Sequence, residues 1–278
     1  MELQDKVAVI TGGTGGIGQA LARAFLAEGA RTVVISDLDA DRVAEVAAEI
    51  GCEGIAADVT NESQVEALVE QTLAAHGPID LFCSNAGSVT RGVLTDATNE
   101  QWQQQWELHV MSHLYAARAV LPSMIARGEG YLLNTASAAG LLAAIPSAPY
   151  SVSKAAAIKL AEMLAITHGD EGIGVSVLCP QGVNTAMAPS GLADGGTDGI
   201  MEASELADVV VAALRDERFH VLPHPEVGDY IKRKADDPDR WLRGMRRLKA
   251  RAEDVEGDHF NFVCYFIHDP VIPCPVPR

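Results

Sequence analysis

Short apolar runs rich in Val and Ile alternate with longer segments of helical periodicity along most of the chain. Residues 6–10, 32–36, 54–57, 79–83, 131–134, 173–178 and 219–222 read as strands. Helical patterns fall between them at 16–28, 39–50, 98–127, 148–169 and 206–215, the long one interrupted near its end by Pro122. Another helix opens at Asn61, whose side chain can accept a hydrogen bond from an orphan amide, and stops at His76-Gly77-Pro78. Strand and helix in strict alternation predict an α/β fold with a doubly wound parallel sheet and helices on both faces.

After residue 225 the pattern changes. Residues 229–251 read as one amphipathic helix, with Ile231, Trp241, Leu242, Met245 and Leu248 among its apolar positions. An apolar run at 260–267 and a Pro-rich close follow. Residues 1–225 are therefore expected as a single α/β domain. Residues 226–278 are expected as a helical extension and apolar tail, packed on that domain or on another subunit.

Composition narrows the class. The 278 residues are 48% hydrophobic but only 5% aromatic, which suits aliphatic buried strands. No apolar run reaches the ~18 residues that span a bilayer, and the N-terminus lacks a signal-peptide pattern, so no membrane partner and a cytoplasmic location are expected. A formal charge of −17 argues against a nucleic-acid surface. Nine of the 21 Lys and Arg nonetheless fall between Lys232 and Arg251, as a solvated or intersubunit helix would carry them. Five cysteines in no paired spacing argue against a disulfide framework. His259, Cys264, His268 and Cys274 match no zinc pattern, so no metal is expected.

The first candidate chemistry is the turn Thr11-Gly12-Gly13-Thr14-Gly15-Gly16-Ile17-Gly18, which joins a strand to a helix. Glycines let the backbone approach a pyrophosphate, and the helix N-terminus stabilises its charge. An acidic residue about 20 positions on completes a dinucleotide fingerprint. That residue is Asp37, followed by Leu38; a carboxylate there accepts from ribose hydroxyls and repels a 2′-phosphate, which favours NAD over NADP. The loops Asp58-Val59 and Ser84-Asn85-Ala86-Gly87 lie at carboxyl ends of strands, beside the expected cofactor. Asn85 suits either turn stabilisation or cofactor contact.

The second is Tyr150-Ser151-Val152-Ser153-Lys154, a phenol and an ammonium one helical turn apart. A free Tyr titrates near ~10, poorly placed for acid–base work, and a neighbouring cation favours its phenolate. The spacing alone fits any solvated helical pair. Ser137, just past the strand ending Asn134-Thr135-Ala136, can hold a substrate oxygen. Pro180-Gln181-Gly182-Val183-Asn184-Thr185 follows the sixth strand and brings amides toward a nicotinamide.

On the glycine turn, Asp58, Asn85-Ala86-Gly87, Ser137, Tyr150-x-x-x-Lys154 and the Pro180–Thr185 loop, residues 5–222 resemble the short-chain dehydrogenase/reductase family. The resemblance implies a Rossmann-type sheet of about seven strands and an NAD-binding site at Gly12, Thr14, Gly16, Ile17, Gly18, Asp37, Leu38, Asp58, Val59, Asn85, Ala86, Gly87, Tyr150, Lys154, Pro180, Gly182, Val183 and Thr185. It implies Tyr150 as general acid/base, Ser137 as holder of the carbonyl or hydroxyl, and Lys154 on the nicotinamide ribose. It also implies a homodimer or homotetramer, with the helices of Tyr115 and Tyr150 at the interfaces.

Two departures stand out. His109 occupies the register of a family Asn that helps hold a water leading from Lys154 to solvent; its imidazole either relays protons, adding a pH dependence, or simply packs. Gln181 replaces the usual Gly after Pro180. Apolar Leu141, Leu142 and Ile145, with Met187 and the glycine-rich 191–199 segment beyond, suggest an apolar secondary alcohol or ketone, alicyclic, aromatic or steroid-like; packing in the core is the alternative. Leu141 and Met187 join Ser137 as candidate substrate contacts. A catalytically silent NAD-binding sensor or scaffold, and a sugar epimerase or dehydratase, remain the rival functions.

Overall fold

The computed structural model describes residues 1–90, 94–145, 147–187 and 199–254. Seven strands form one parallel sheet: β1 (Val7–Thr11), β2 (Thr32–Asp37), β3 (Glu53–Ala56), β4 (Leu81–Ser84), β5 (Gly130–Thr135), β6 (Ile173–Leu178) and, after a separate β7 (Val183–Asn184) and β8 (Met201–Glu202), β9 (His220–Val221). Their order is β3-β2-β1-β4-β5-β6-β9. The chain thus leaves the centre in one direction, returns, and leaves in the other. The crevice at that switch point, outside the carboxyl ends of β1 and β4, is where ligands bind in doubly wound sheets.

The helices are α1 (Gly16–Ala27), α2 (Ala40–Ile50), α3 (Glu62–His76), α4 (Asn99–Trp106), α5 (Ser112–Arg127), α6 (Ala138–Leu141), α7 (Ala148–His168), α8 (Ala203–Arg215), α9 (Glu226–Asp236) and α10 (Pro238–Asp254). Alternation along β1 distributes them. Ala8 and Ile10 face a layer with Leu21 and Phe25 of α1, Val46 of α2 and Val210 of α8, whereas Val9 faces Leu68 of α3, Val120 of α5 and Ala157 of α7. Caps set the entries. Asp39 accepts from the amides of Asp41 and Arg42, Asn61 from that of Ser63, and Thr98 forms a reciprocal capping box with Gln101.

The structure corrects the sequence reading in several places. The 98–127 segment is not one α-helix: Glu107–Met111 forms a π-helical turn between α4 and α5, while Pro122 remains inside α5. The 229–251 segment is two helices, because Asp237 adopts an extended conformation (φ −148°, ψ 86°) before Pro238. Proline disfavours the α conformation in the residue before it, and its own missing amide suits a helix start. Helix α6 and the parallel β7–β8 pair carried no signal strong enough to predict. The apolar tail with His259, Cys264, His268 and Cys274, and most of the 191–199 segment, lie outside the described residues.

The extension packs on the body. Val227 and Tyr230 of α9 and Trp241 and Met245 of α10 form a small core with Ala138 and Leu142.

Candidate active site at the carboxyl edge of the sheet

The β1–α1 turn is shaped by what its glycines omit. Gly12 has φ +64°, and a Cβ on it would stand 2.7 Å from the Ala86 Cα; one on Gly18 would stand 2.2 Å from the Gly12 carbonyl oxygen. Strand, turn and helix can approach this closely only without side chains. The amides at the start of α1 receive no side-chain cap, since the N-cap is Gly15. They are available to an anion.

Asp37, at the end of β2, accepts hydrogen bonds from the Thr14 amide (3.2 Å), the Thr14 hydroxyl and the Leu38 amide (2.8 Å). These contacts fix the carboxylate at the mouth of the turn. Asp58 accepts from the Thr60 amide and hydroxyl at 2.9 and 2.7 Å, which orders the loop after β3. Asn85 ties three strands together. Its side-chain amide donates to the Thr11 carbonyl at 3.0 Å, its backbone amide donates to the Thr11 hydroxyl at 3.0 Å, and its side-chain oxygen accepts from Thr135 at 3.2 Å. The turn-stabilising role therefore has direct geometric support.

Beyond β5, Ser137 N-caps α6, its Oγ accepting from the Ala139 amide at 3.1 Å and lying 3.4 Å from the Pro180 carbonyl. Tyr150 stands in the first turn of α7. Lys154, one turn on, lies 5.7 Å from the Tyr150 ring centroid and donates to the Thr135 carbonyl at 2.8 Å. Only 3% of Lys154 is exposed, and burial pulls its pKa from 10.5 down to about 7. No carboxylate neutralises this ammonium in the described site.

His109 sits within the π-helical turn and is fully buried. Its Nε2 accepts from the Ser88 amide at 3.2 Å, so Nδ1 carries the proton and faces the Ser153 hydroxyl at 3.0 Å. Ser153 in turn donates to the Tyr150 carbonyl at 3.0 Å, and the His109 and Tyr150 rings meet edge to face at 5.4 Å. Burial, then the nearby charge of Lys154, hold the imidazole far below its ordinary range. Of the two roles open to His109, this burial favours packing over a titration near neutrality. π-helical turns often occur where a side chain has a local task. Here the turn carries the histidine that joins the loop after β4 to α7. His113, one turn further, is a buried imidazole that the sequence reading passed over; burial and Lys154 push its pKa down to about 3.

These elements surround one cleft of about 680 Å³. Every sequence-predicted site residue lines it except His109, which lies behind the wall, and Leu141. Leu141, Leu142 and Ile145 pack toward the α9–α10 core, which supports the packing alternative, and Leu141 is not among the described residues that line the cleft. Met187 does line the cleft. The structure adds Ser88, Val89, Gln104, Leu108 and Ile200, which no motif marked. Lys154 is the sole Lys or Arg among the described lining residues.

Comparison with known proteins decides the kinship. Residues 6–194 match the family model described as short chain dehydrogenase. The chain belongs to the short-chain dehydrogenase/reductase family. It is 34% identical over 250 residues to 1-deoxy-11-beta-hydroxypentalenate dehydrogenase of Streptomyces exfoliatus, covering 85% of this chain and 90% of that one. It is 33% identical over 254 residues to oxidoreductase UcpA of Salmonella typhimurium, covering 89% and 94%. Among solved structures, a family member from Burkholderia phymatum in complex with NAD superposes with a TM-score of 0.78 at 29% identity, covering 86% of this chain and 96% of that one. This short-chain dehydrogenase/reductase is thus an oxidoreductase, and its sheet is that of its solved relative.

Proposed function

We propose that the protein is an NAD(H)-dependent dehydrogenase/reductase of secondary alcohols and ketones. The observation that carries this reading is the convergence of the glycine turn, Ser137, Tyr150 and Lys154 on one cleft. The residues present fit a dinucleotide: glycines where a Cβ would clash, uncapped amides at the start of α1, and an oriented carboxylate at Asp37. NAD is favoured over NADP because a 2′-phosphate at Asp37 would meet a carboxylate with no described Arg or Lys on the wall beside it. The NAD complex of the Burkholderia phymatum relative supports the same choice.

Bound NAD supplies the hydride acceptor for oxidation and, reduced, the donor for reduction. The chain supplies orientation and proton control. The Ser137 hydroxyl holds the substrate oxygen. Tyr150 Oη takes the hydroxyl proton during oxidation and returns it during reduction. Lys154, in its charged form, favours the phenolate and holds the ribose end of the cofactor. Burial lowers the Lys154 pKa to about 7 without ligand, so whatever restores its charge also raises the fraction of Tyr150 present as phenolate. His109 orients Tyr150 through Ser153 and acts without changing charge.

Val89, Met187 and Ile200 on the cleft wall support an apolar substrate, and a relative named as a dehydrogenase of a hydroxylated compound supports alcohol oxidation. Exposed Val152, Met163 and Ile166 on α7 and Trp106 on α4 support a homo-oligomer. No described helix is long and apolar enough to cross a membrane, and we place the protein in the cytoplasm. The test is a panel of alicyclic, aromatic and steroid alcohols with NAD and NADP, followed by NADH or NADPH absorbance. Turnover with NAD exceeding that with NADP is expected. Tight NAD binding without turnover across the panel would favour the silent-sensor alternative.

A further inference from the structure

Helix α9 holds two loops of the active site at once. Just before it, the Nδ1 of buried His224 accepts from the Gln181 backbone amide at 3.3 Å. In its last turn, Lys234 donates through Nζ to the Leu141 carbonyl at 2.6 Å. Gln181 belongs to the Pro180–Thr185 loop. Leu141 ends α6, which begins directly after Ser137.

The two loops are also joined to each other. The Pro180 carbonyl accepts from the Ala138 amide at 2.9 Å and lies 3.4 Å from the Ser137 hydroxyl. Apolar packing fixes the same geometry from outside, with Val227, Tyr230, Trp241 and Met245 seated on Ala138 and Leu142. Gly140 has no room to compensate: a Cβ there would meet the Lys154 backbone at 2.6 Å.

Lys234 is unusual for a surface cation. It is half-buried, and burial alone lowers its pKa, with no carboxylate contributing. An ammonium that gives up water for a single carbonyl gains little as an ion pair would. It does satisfy an orphan carbonyl at the end of a four-residue helix, where a cation also meets the negative end of the local dipoles.

We propose that α9 is a clamp setting the position of Ser137 relative to the Pro180–Thr185 loop, with Lys234 and His224 as positioning residues. The proposal rests on the assignment of Ser137 to the substrate oxygen. Through the Leu141 carbonyl, Lys234 governs how firmly that oxygen is held. Through the Gln181 amide, His224 governs the loop that faces the nicotinamide end. Sequence variation in the extension would then tune substrate binding without touching Tyr150 or Lys154.

The test compares wild type, Lys234→Met, Lys234→Arg and His224→Phe by hydrogen exchange and by kinetics with cyclohexanol as probe. In Lys234→Met, amides of residues 138–145 should exchange at least about tenfold faster while those of the β1–α1 turn stay protected. The cyclohexanol KM should rise several-fold, with kcat and NAD affinity changed less than about twofold. Lys234→Arg, which still offers a donor, should restore both. His224→Phe should instead loosen residues 181–185 and weaken NADH binding. Unchanged exchange at 138–145 in Lys234→Met, or no recovery in Lys234→Arg, overturns the clamp. Absence of turnover in wild type would count against the secondary-alcohol reading while the exchange measurement still decides the clamp.

Discussion

At the residue scale, burial and hydrogen bonding weigh on the two roles open to His109. Burial favours the neutral form of His109, with one ring nitrogen accepting from Ser88 and the other facing Ser153. An Asn can reproduce an acceptor and a donor there, so His109→Asn should retain or raise turnover. His109→Leu, which strands the Ser88 amide and removes the donor to the Ser153 oxygen, should cost about 1–3 kcal/mol of stability, measured by urea unfolding. The pH–rate profile of His109→Asn should show no inflection lost between pH 5 and 8 relative to wild type. Lys154 makes a sharper prediction. Its folded pKa of about 7 lies below its ordinary 10.5, so the unfolded chain binds the extra proton between those values. Burying the cation is therefore most costly below pH 7, and stability from this group rises as pH climbs toward 10.5. Lys154→Met should raise the melting temperature of the ligand-free protein at pH 6, and the gain should shrink by pH 9.5. The shift corresponds to a few kcal/mol, on the order of 1.4 kcal/mol per pKa unit. A gain that grows with pH would contradict the cost assigned to the buried ammonium.

At the scale of elements, legibility followed the strength of local signals. The central parallel strands were readable because they are short, aliphatic and buried on both faces, and the glycine turn because its context is strand-then-helix. The cap at Asn61 was readable for the same reason: a single side chain and its next amide decide it. The π-helical turn was not, since it answers to His109 reaching Ser88 and Ser153, contacts far apart in sequence. Helix α6 and the β7–β8 pair likewise depend on tertiary neighbours. The break at Asp237 had a local signal in Pro238, outweighed by the amphipathic pattern running through it. Leu141, Leu142 and Ile145 show the limit of composition: apolar residues beside a catalytic serine pack against α9 and α10, a destination set by a segment about ninety residues away. At this scale the Thr98 capping box gives a direct check, because Thr98→Ala should cost about 1 kcal/mol. Gly12→Ala, which combines a positive φ with a 2.7 Å approach to Ala86, should be far worse and should abolish NAD binding, as read by fluorescence titration.

At the scale of the whole molecule, acidic charge and exposed apolar helix faces bear on assembly. Val152, Met163 and Ile166 share α7 with Tyr150 and Lys154, so an interface there would stiffen the catalytic helix from behind. Ile166→Glu combined with Met163→Glu should lower the mass seen by light scattering on size exclusion. An unchanged mass would move the interface elsewhere or leave the protein monomeric. In the proposed clamp the extension at residues 226–254 reaches the cleft through α9, which would make substrate recognition depend on it. All of this depends on Tyr150 being the group that moves the proton, the role that its pairing with Lys154 and the reach of Ser137 prepare it for. The decisive measurement is steady-state NADH formation by wild type and Tyr150→Phe with one active secondary alcohol, alongside NADH affinity for each. Turnover should fall by at least about a thousandfold, in the upper range of acid–base contributions, with NADH affinity nearly unchanged. Comparable turnover in Tyr150→Phe would contradict the account.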